Sequence, residues 1–544
     1  MKLRELTILG SLFAAPAAAH AGGLFLPGSG AISSARAGAA VASVDDGEAL
    51  GINPAGLAKT HGTTITLSAA AIQYSMRFTR SGTYDAPAMP DDDQAGFVGT
   101  PYETIENDPA LPLGVGSFQP IPVVAITSDL GGAIPNLRVG GGLYAPNAYP
   151  FRDMSGGYVF NDNPRLPPPP TRYDIIKQEA AVFLPSIAAS YRITPELDVG
   201  VRLSWGIAQL KSTVALWGAP DNYEENIKND AVLDADVHDN FVPAAGLGVT
   251  YRPTREIELG ASWTSMAEIQ AKGTGVSSLG SGAASLGGMT VSIHPSATPR
   301  CDPAGGGTVD ALKACVSLQI PMTATIGGRY KLLDASGGLR GDVELDIGWE
   351  NWGKRCDFIK DPGCTSPGQY RVVVDAEPHL DSIAAPPFKD SIVEHRLNDT
   401  FSFRLGGSYH LPLGAAPGAS RIILRGGVAY DTRAAEEGWL RADVDGAARL
   451  TTTVGGAYRT GRYEIDVGAG YVYEGKNTNS GSCNPTSTAK GCAGTNSEAP
   501  IDERSGPDPI NPLVVPAAQA ESPVNQGTIE SSYLMFMVGV STWF

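Results

Sequence analysis

The chain has 544 residues, a formal charge of −17 and only 18% charged residues. Such an acidic balance lacks the basic footprint of a nucleic-acid binder, so no nucleic-acid partner is expected. Beyond the N-terminus no run of about 18 apolar residues occurs, which excludes a transmembrane helix.

Residues 1–21 read as a secretory signal. Lys2 and Arg4 lead an apolar stretch from Leu6 to Ala19, and Ala19-His20-Ala21 forms an A-x-A cleavage site. The mature chain is expected to begin at Gly22. Residues 22–62 then carry sparse charge and scattered apolar side chains, among them Leu24, Phe25, Leu26, Val41, Val44, Leu50 and Leu57. Side chains of this kind favour burial, so the segment is expected to fold back as an internal plug. Residues 33–44 and 46–50 suit short helices, with Ser33 or Asp45 as N-caps.

From residue 63 onward the dominant signal is period-two alternation. In LDVGVRLSW, Leu197, Val199, Val201, Leu203 and Trp205 share one face, against Asp198, Gly200, Arg202 and Ser204. Fourteen such segments fall near residues 63–78, 120–129, 136–145, 179–193, 196–211, 240–252, 256–271, 319–333, 341–352, 400–412, 420–432, 447–459, 462–474 and 530–544. The gaps between them alternate long and short. Turns such as ITPEL (193–197) and RTGRY (459–463) alternate with long stretches such as 79–119 and 353–399. An even strand number, short turns at one end and long loops at the other is the layout of a bacterial outer-membrane barrel. Such a sheet must close, because an open edge leaves unpaired backbone groups in lipid. The expected class is therefore all-β: a 14-stranded antiparallel transmembrane barrel over residues 63–544, plugged by residues 22–62. The first strand changes phase at Ala69-Ala70-Ala71, where a bulge is expected. The last places Leu534, Phe536, Val538, Val540, Thr542 and Phe544 on one face and closes on an aromatic residue, in the manner of an outer-membrane assembly signal.

Arg or Lys facing lipid at mid-bilayer costs roughly 2–4 kcal/mol. Arg202, Arg329, Lys331, Arg404 and Arg425 are therefore expected to face the lumen, with the acidic set Glu258, Asp342, Glu344, Asp346, Glu464 and Asp466. An ion-pair network is the favoured reading of these charges, ahead of a ligand site. The cysteines left after the signal, Cys301, Cys315, Cys356, Cys364, Cys483 and Cys492, allow fifteen pairings. Their spacing favours three local disulfides, 301–315, 356–364 and 483–492, over a zinc site, which uses tighter C-x2-C spacing. No metal or cofactor is expected. No H-E-x-x-H, G-x-S-x-G or phosphate-cradling motif points to catalysis. The Asp91-Asp92-Asp93 cluster and the run Pro167–Pro170 read as solvated loop, ahead of a cation or lipopolysaccharide site.

The stretch RAGAAVASVDDGEALGINPAGLA, residues 36–58, resembles the N-terminal hatch of FadL-type outer-membrane transporters of long-chain fatty acids and aromatic hydrocarbons. The shared pattern is a small-residue helix, an acidic pair, a spacer and Asn-Pro-Ala, here Asn53, Pro54 and Ala55. Alone, Asn-Pro is a common turn opener. The resemblance implies an outer-membrane location and passive uptake of a long-chain fatty acid or other hydrophobic ligand by a monomer in contact with outer-membrane lipid and lipopolysaccharide. It makes Leu24, Phe25 and Leu26 a candidate pocket or plug element. It also implies a lateral opening near a kink in the third strand, where Gly140, Gly141 and Gly142 are the candidate gate. The bland alternative for that run is a small-residue patch that accommodates the hatch. Rival functions are a polar-solute porin, a lipid-acting outer-membrane enzyme and an adhesive barrel.

Overall fold

The computed structural model describes residues 23–84, 97–108, 117–146, 148, 151–161, 166–217, 225, 227–286, 288–358, 360, 361, 363–414, 419–436, 439–479 and 527–544. The signal, Asp91, Asp92, Asp93, Cys483 and Cys492 lie outside the described residues.

Fourteen antiparallel strands make one closed wall: β1 (Thr63–Arg80), β2 (Gln119–Ser128), β3 (Leu137–Tyr144), β4 (Lys177–Thr194), β5 (Leu197–Leu216), β6 (Ala231–Tyr251), β7 (Ile257–Thr264, continued by Ala267–Leu279), β8 (Leu312–Ile320, continued by Thr323–Leu333), β9 (Leu339–Glu350), β10 (Thr400–Pro412), β11 (Arg421–Asp431), β12 (Arg449–Thr460), β13 (Tyr463–Asn479) and β14 (Gly527–Trp543). Each pairs with its sequence neighbours, and β14 returns to β1 over the full length from Thr64↔Trp543 to Arg80↔Gly527. Closure leaves no sheet edge in lipid along the wall except at one short interruption between β2 and β4.

The alternation decides which face meets lipid. Val201, Leu203 and Trp205 point outward at 50%, 58% and 43% exposure, while Asp198, Arg202 and Ser204 are buried inside. Tyr191, Tyr251, Tyr330, Tyr409, Tyr458 and Tyr463 are exposed near the short-turn end. They form an interfacial aromatic girdle. Tyr330 pairs with Val343, six residues before Trp349 at the opposite end of β9, a separation of about 20 Å along the strand. That approaches the ~25 Å apolar band of such barrels.

Two expectations change. The bulge expected at Ala69-Ala70-Ala71 is absent: β1 stays in register with both β14 and β2 through these residues. The phase change instead marks a change in what fills the lumen. Thr64, Thr66 and Ser68 face the plug, whereas Ile72, Tyr74, Met76 and Phe78, on the same inner face, join an apolar cluster beyond it. Strand β6, expected from about residue 240, begins at Ala231. Its added part carries exposed Asp234, Asp236 and His238 outward and buried Leu233 and Val237 inward. The apolar outward pattern ends where the wall leaves lipid, so hydrophobic alternation does not report the extension.

Residues 23–62 fill the lumen. They form a short helix, α1 (Ala31–Ser34), and two 3-10 turns, Gly47–Leu50 and Pro54–Lys59. The caps differ from expectation. Gly30 precedes α1, Asp46 caps the first 3-10 turn through Glu48 N–H, and Asn53 caps the second. Ser33 instead donates its hydroxyl to the Ser29 carbonyl at 2.9 Å. Gly38, at φ +81°, turns the chain away soon after α1. The long segments fold over the opposite end of the wall, where disulfides Cys301–Cys315 and Cys356–Cys364 form as expected.

Candidate functional site: hatch, cavity and wall break

The plug sits on a floor of wall glycines. A Cβ on Gly248 would lie 2.0 Å from Asn53 Oδ1, and one on Gly200 would lie 2.4 Å from Ala55 N. Gly260 meets the Val41 carbonyl and Gly427 meets Arg36 in the same way. These glycines face inward in alternation with lipid-facing residues, so the hatch backbone comes closer to the wall than any side chain permits. Asn53 is fully buried. Its Oδ1 accepts from Ala55 N–H at 3.1 Å, while its Nδ2 donates to the carbonyls of Val41 (2.7 Å) and Val249 (3.2 Å). One amide thus caps a turn, ties two parts of the hatch and anchors them to β6.

The expected lumen charges all face inward. Arg36 Nη1 and Nη2 contact Asp342 at 2.8 Å and Glu344 at 2.9 Å. Arg329 reaches Asp342 at 2.5 Å and Glu258 at 3.0 Å, with Lys331 at 3.9 Å from Glu258. Arg425 pairs with Glu464 and Asp466. Arg202 donates to the hatch carbonyl of Leu50, and Arg404 lines a small cavity beside the hatch. The carboxylates do more than balance cations. Asp346 accepts from the N–H groups of Ala40 and Val41 at 2.9 and 3.0 Å, and Glu344 accepts from Ala42 N–H at 2.7 Å. Nothing in the sequence spacing pairs these strand acids with hatch amides.

Beyond the hatch lies a cavity of about 1330 Å³. Ile121, Phe183, Leu210, Leu233, Ile269 and Leu318 line it from the wall, and Trp217, Trp352, Tyr370 and Phe388 from the outer segments. The N-terminal residues Leu24 and Phe25 form part of its lining, whereas Leu26 faces the smaller cavity of about 160 Å³. Phe25 borders both spaces. Its backbone bridges to Ala148, its carbonyl accepts from Arg449 at 2.8 Å, and its ring lies 5.6 Å from that of Trp352.

The wall is interrupted beside this cavity. Strand β3 ends at Tyr144, which pairs with Val123 of β2 and Leu184 of β4. The chain then turns inward towards Phe25. Ladder pairing to that edge of β4 resumes only at Gln178, with Arg152. Residues 179–183 therefore have no ladder partner on that side among the described residues. Their neighbours Pro120 and Ile121, and Ala180, Ala181, Val182 and Phe183 themselves, line the cavity. Gly140, Gly141 and Gly142 lie in continuous ladder with both β2 and β4. The break falls beyond this run, after Tyr144, and prolines rather than glycines flank it: Pro146 on the chain leaving β3, Pro120 and Pro122 in β2 and Pro185 in β4, none of which can donate a backbone hydrogen bond to a ladder. Gly140 and Gly142 approach Leu57 and Leu50 of the hatch, while Gly141 meets only β4.

A closed wall with an apolar outer face, an internal hatch and an apolar cavity reaching a gap in that wall defines a plugged outer-membrane barrel that transports hydrophobic compounds. The chain belongs to the outer membrane protein transport protein family (OMPP1/FadL/TodX), whose profile matches residues 177–500; these are transporters, not enzymes. In fold it is similar to a Pseudomonas aeruginosa FadL homologue (TM-score 0.62, 14% identity, covering 96% of this chain and 100% of that one). It is also similar to the Ralstonia pickettii toluene transporter TbuX (0.53, 14%, 95% and 99%) and the P. putida toluene transporter TodX (0.54, 15%, 95% and 99%). No curated protein matches the sequence.

Proposed function

We propose that this protein carries long-chain fatty acids or other hydrophobic molecules passively from the cavity, past Phe25, through the break between β2 and β4 into the membrane. The observation that carries this reading is the contact between the cavity and the unpaired stretch 179–183. Each methylene exposed to water costs about 0.8 kcal/mol, so releasing a sixteen-carbon chain into an aqueous lumen costs on the order of 12 kcal/mol. A lateral exit avoids that cost. The hatch, held by buried ion pairs and seated on glycines, closes the lumen below the cavity and argues against a polar-solute porin. The barrel works as a monomer, with its apolar face in outer-membrane lipid and lipopolysaccharide. Two of the structural neighbours are described as toluene transporters, which agrees with a hydrophobic cargo.

The test is uptake of radiolabelled hexadecane and hexadecanoate by cells carrying the double variant Ile121→Cys, Ala181→Cys, before and after cross-linking of the two introduced thiols across the break. Cross-linking is expected to abolish uptake, and reduction to restore it. Unchanged uptake in the cross-linked protein rejects lateral exit.

A further inference from the structure

We propose that the cavity selects a large uncharged hydrophobe, bearing at most hydroxyl groups, over the carboxylate of a fatty acid. This rests on the reading of the cavity as the site of the transported ligand.

The charge at its polar pole carries the inference. Among the described lining residues the cations are Arg441 and Lys389; of the acids, Asp390 is paired with Arg300 and Arg371, Glu394 with Arg355 and Asp357 with Lys360, while Asp174 and Asp443 share Arg441. Arg441 is buried and already held by two carboxylates, Asp443 at 3.0 Å and Asp174 at 3.4 Å. Asp443 lies in the segment between β11 and β12 and meets His395 Nε2 at 2.7 Å. Burial alone would raise its carboxyl, but Arg441 and His395 outweigh burial and hold it below the usual range, so it stays ionised. An incoming carboxylate must displace one of these acids from the guanidinium or lie beside both. Either arrangement places like charges together away from water, where their repulsion is strong. Lys389 stands on the exposed rim, where water screens its attraction.

The hydrogen-bonding inventory points the same way. Ionised Asp and Glu accept but cannot donate. Glu394 presents such oxygens at the lining, with Gln369 donating to one of them. A hydroxyl can donate to this pole, whereas a carboxylate has no proton to offer. The volume adds the size class. About 1330 Å³ exceeds the roughly 300–1,000 Å³ of ordinary small-molecule pockets.

The experiment is equilibrium binding of radiolabelled hexadecan-1-ol and hexadecanoate to the purified full chain in detergent at pH 8. The alcohol is expected to bind at least about tenfold more tightly. Equal or tighter binding of hexadecanoate overturns this selectivity and leaves the transport reading standing. Binding of neither probe, with no uptake of either by cells carrying the protein, overturns both. Asp443→Asn removes one of the two carboxylates on Arg441. In the folded variant, verified by its heat-modifiable migration, the alcohol-to-acid ratio is expected to fall by about tenfold. An unchanged ratio overturns the charge argument.

Discussion

Arg36 of the hatch and Asp342 of β9 meet at 2.8 Å with side chains only 4% and 0% exposed. The same guanidinium also holds Glu344, so one hatch residue bridges two buried wall acids, with Arg329 as the second cation on Asp342. Losing Arg36 leaves Arg329 on Asp342 but takes from Glu344 its ion pair, and removing one partner of a buried pair costs about 3–5 kcal/mol. The hatch amides bound to Glu344 and Asp346 remain, so the hatch is expected to loosen rather than leave. Arg36→Ala should raise single-channel conductance in planar bilayers and expose the hatch to protease. A variant as silent and as protected as wild type would show that the pair does not hold the hatch.

Asn53 and Gly248 make a second, more local lock. Asn53→Ala removes the cap and leaves the buried Val41 carbonyl without its side-chain donor, a loss of about 1–3 kcal/mol. Gly248→Ala pushes a methyl to within 2.0 Å of Asn53 Oδ1, so hatch and β6 must separate. Each change alone is expected to lower the temperature of heat-modified migration. In combination they should cost less than their sum, because the truncated Asn53 no longer meets the new methyl. Simple additivity would show that the two residues do not share one contact.

These contacts mark the limit of sequence reading. Alternation reports the face a residue occupies, and it placed Arg202, Arg329, Lys331, Arg404 and Arg425 inside because charge is costly in lipid. It does not report partners: Asp346 on Val41 N–H joins residues 305 apart. Nor does it follow a strand out of the membrane, as β6 does above Phe241. The first strand shows the opposite failure. Its inner face turns from Thr66 and Ser68 to Ile72 and Phe78 because the lumen contents change, and such a turn mimics a bulge in the periodicity while the register stays intact. The break after Tyr144 is a property of which neighbours pair, which a glycine run does not report: Gly140 and Gly142 approach the hatch, and Gly141 meets β4.

That distinction is testable with bulk. Gly141 has only Ser186 and Ile187 of β4 within 4 Å of its Cβ position, and these are ordinary contacts. Gly141→Trp is therefore expected to leave uptake of radiolabelled hexadecane near wild type. Ala181 lies on the unpaired edge and lines the cavity, so Ala181→Trp should reduce uptake several-fold with the barrel still folded. The reverse ranking would move the exit to the glycine run.

Asp445 offers a prediction in pH. It lies between β11 and β12, buried, with Asn477 Nδ2 donating to its Oδ1 at 2.7 Å and Ser531 3.4 Å from its other oxygen. Burial, reinforced by the nearby charge of Glu474, pushes its carboxyl up to about 7. An unfolded aspartate titrates near 4, so between about pH 4 and pH 7 the folded state binds the extra proton. Stability then falls as pH rises through that window, and the loss is complete above pH 7. At about 1.4 kcal/mol per unit, the cost at pH 8 is a few kcal/mol. Asp445→Asn keeps an oxygen for Asn477 and removes the charge. It should raise the thermal midpoint at pH 8 and leave it nearly unchanged at pH 4. A loss of stability at pH 8, with little change at pH 4, would show that Asp445 is stabilised as the ion, contrary to its buried position beside Glu474.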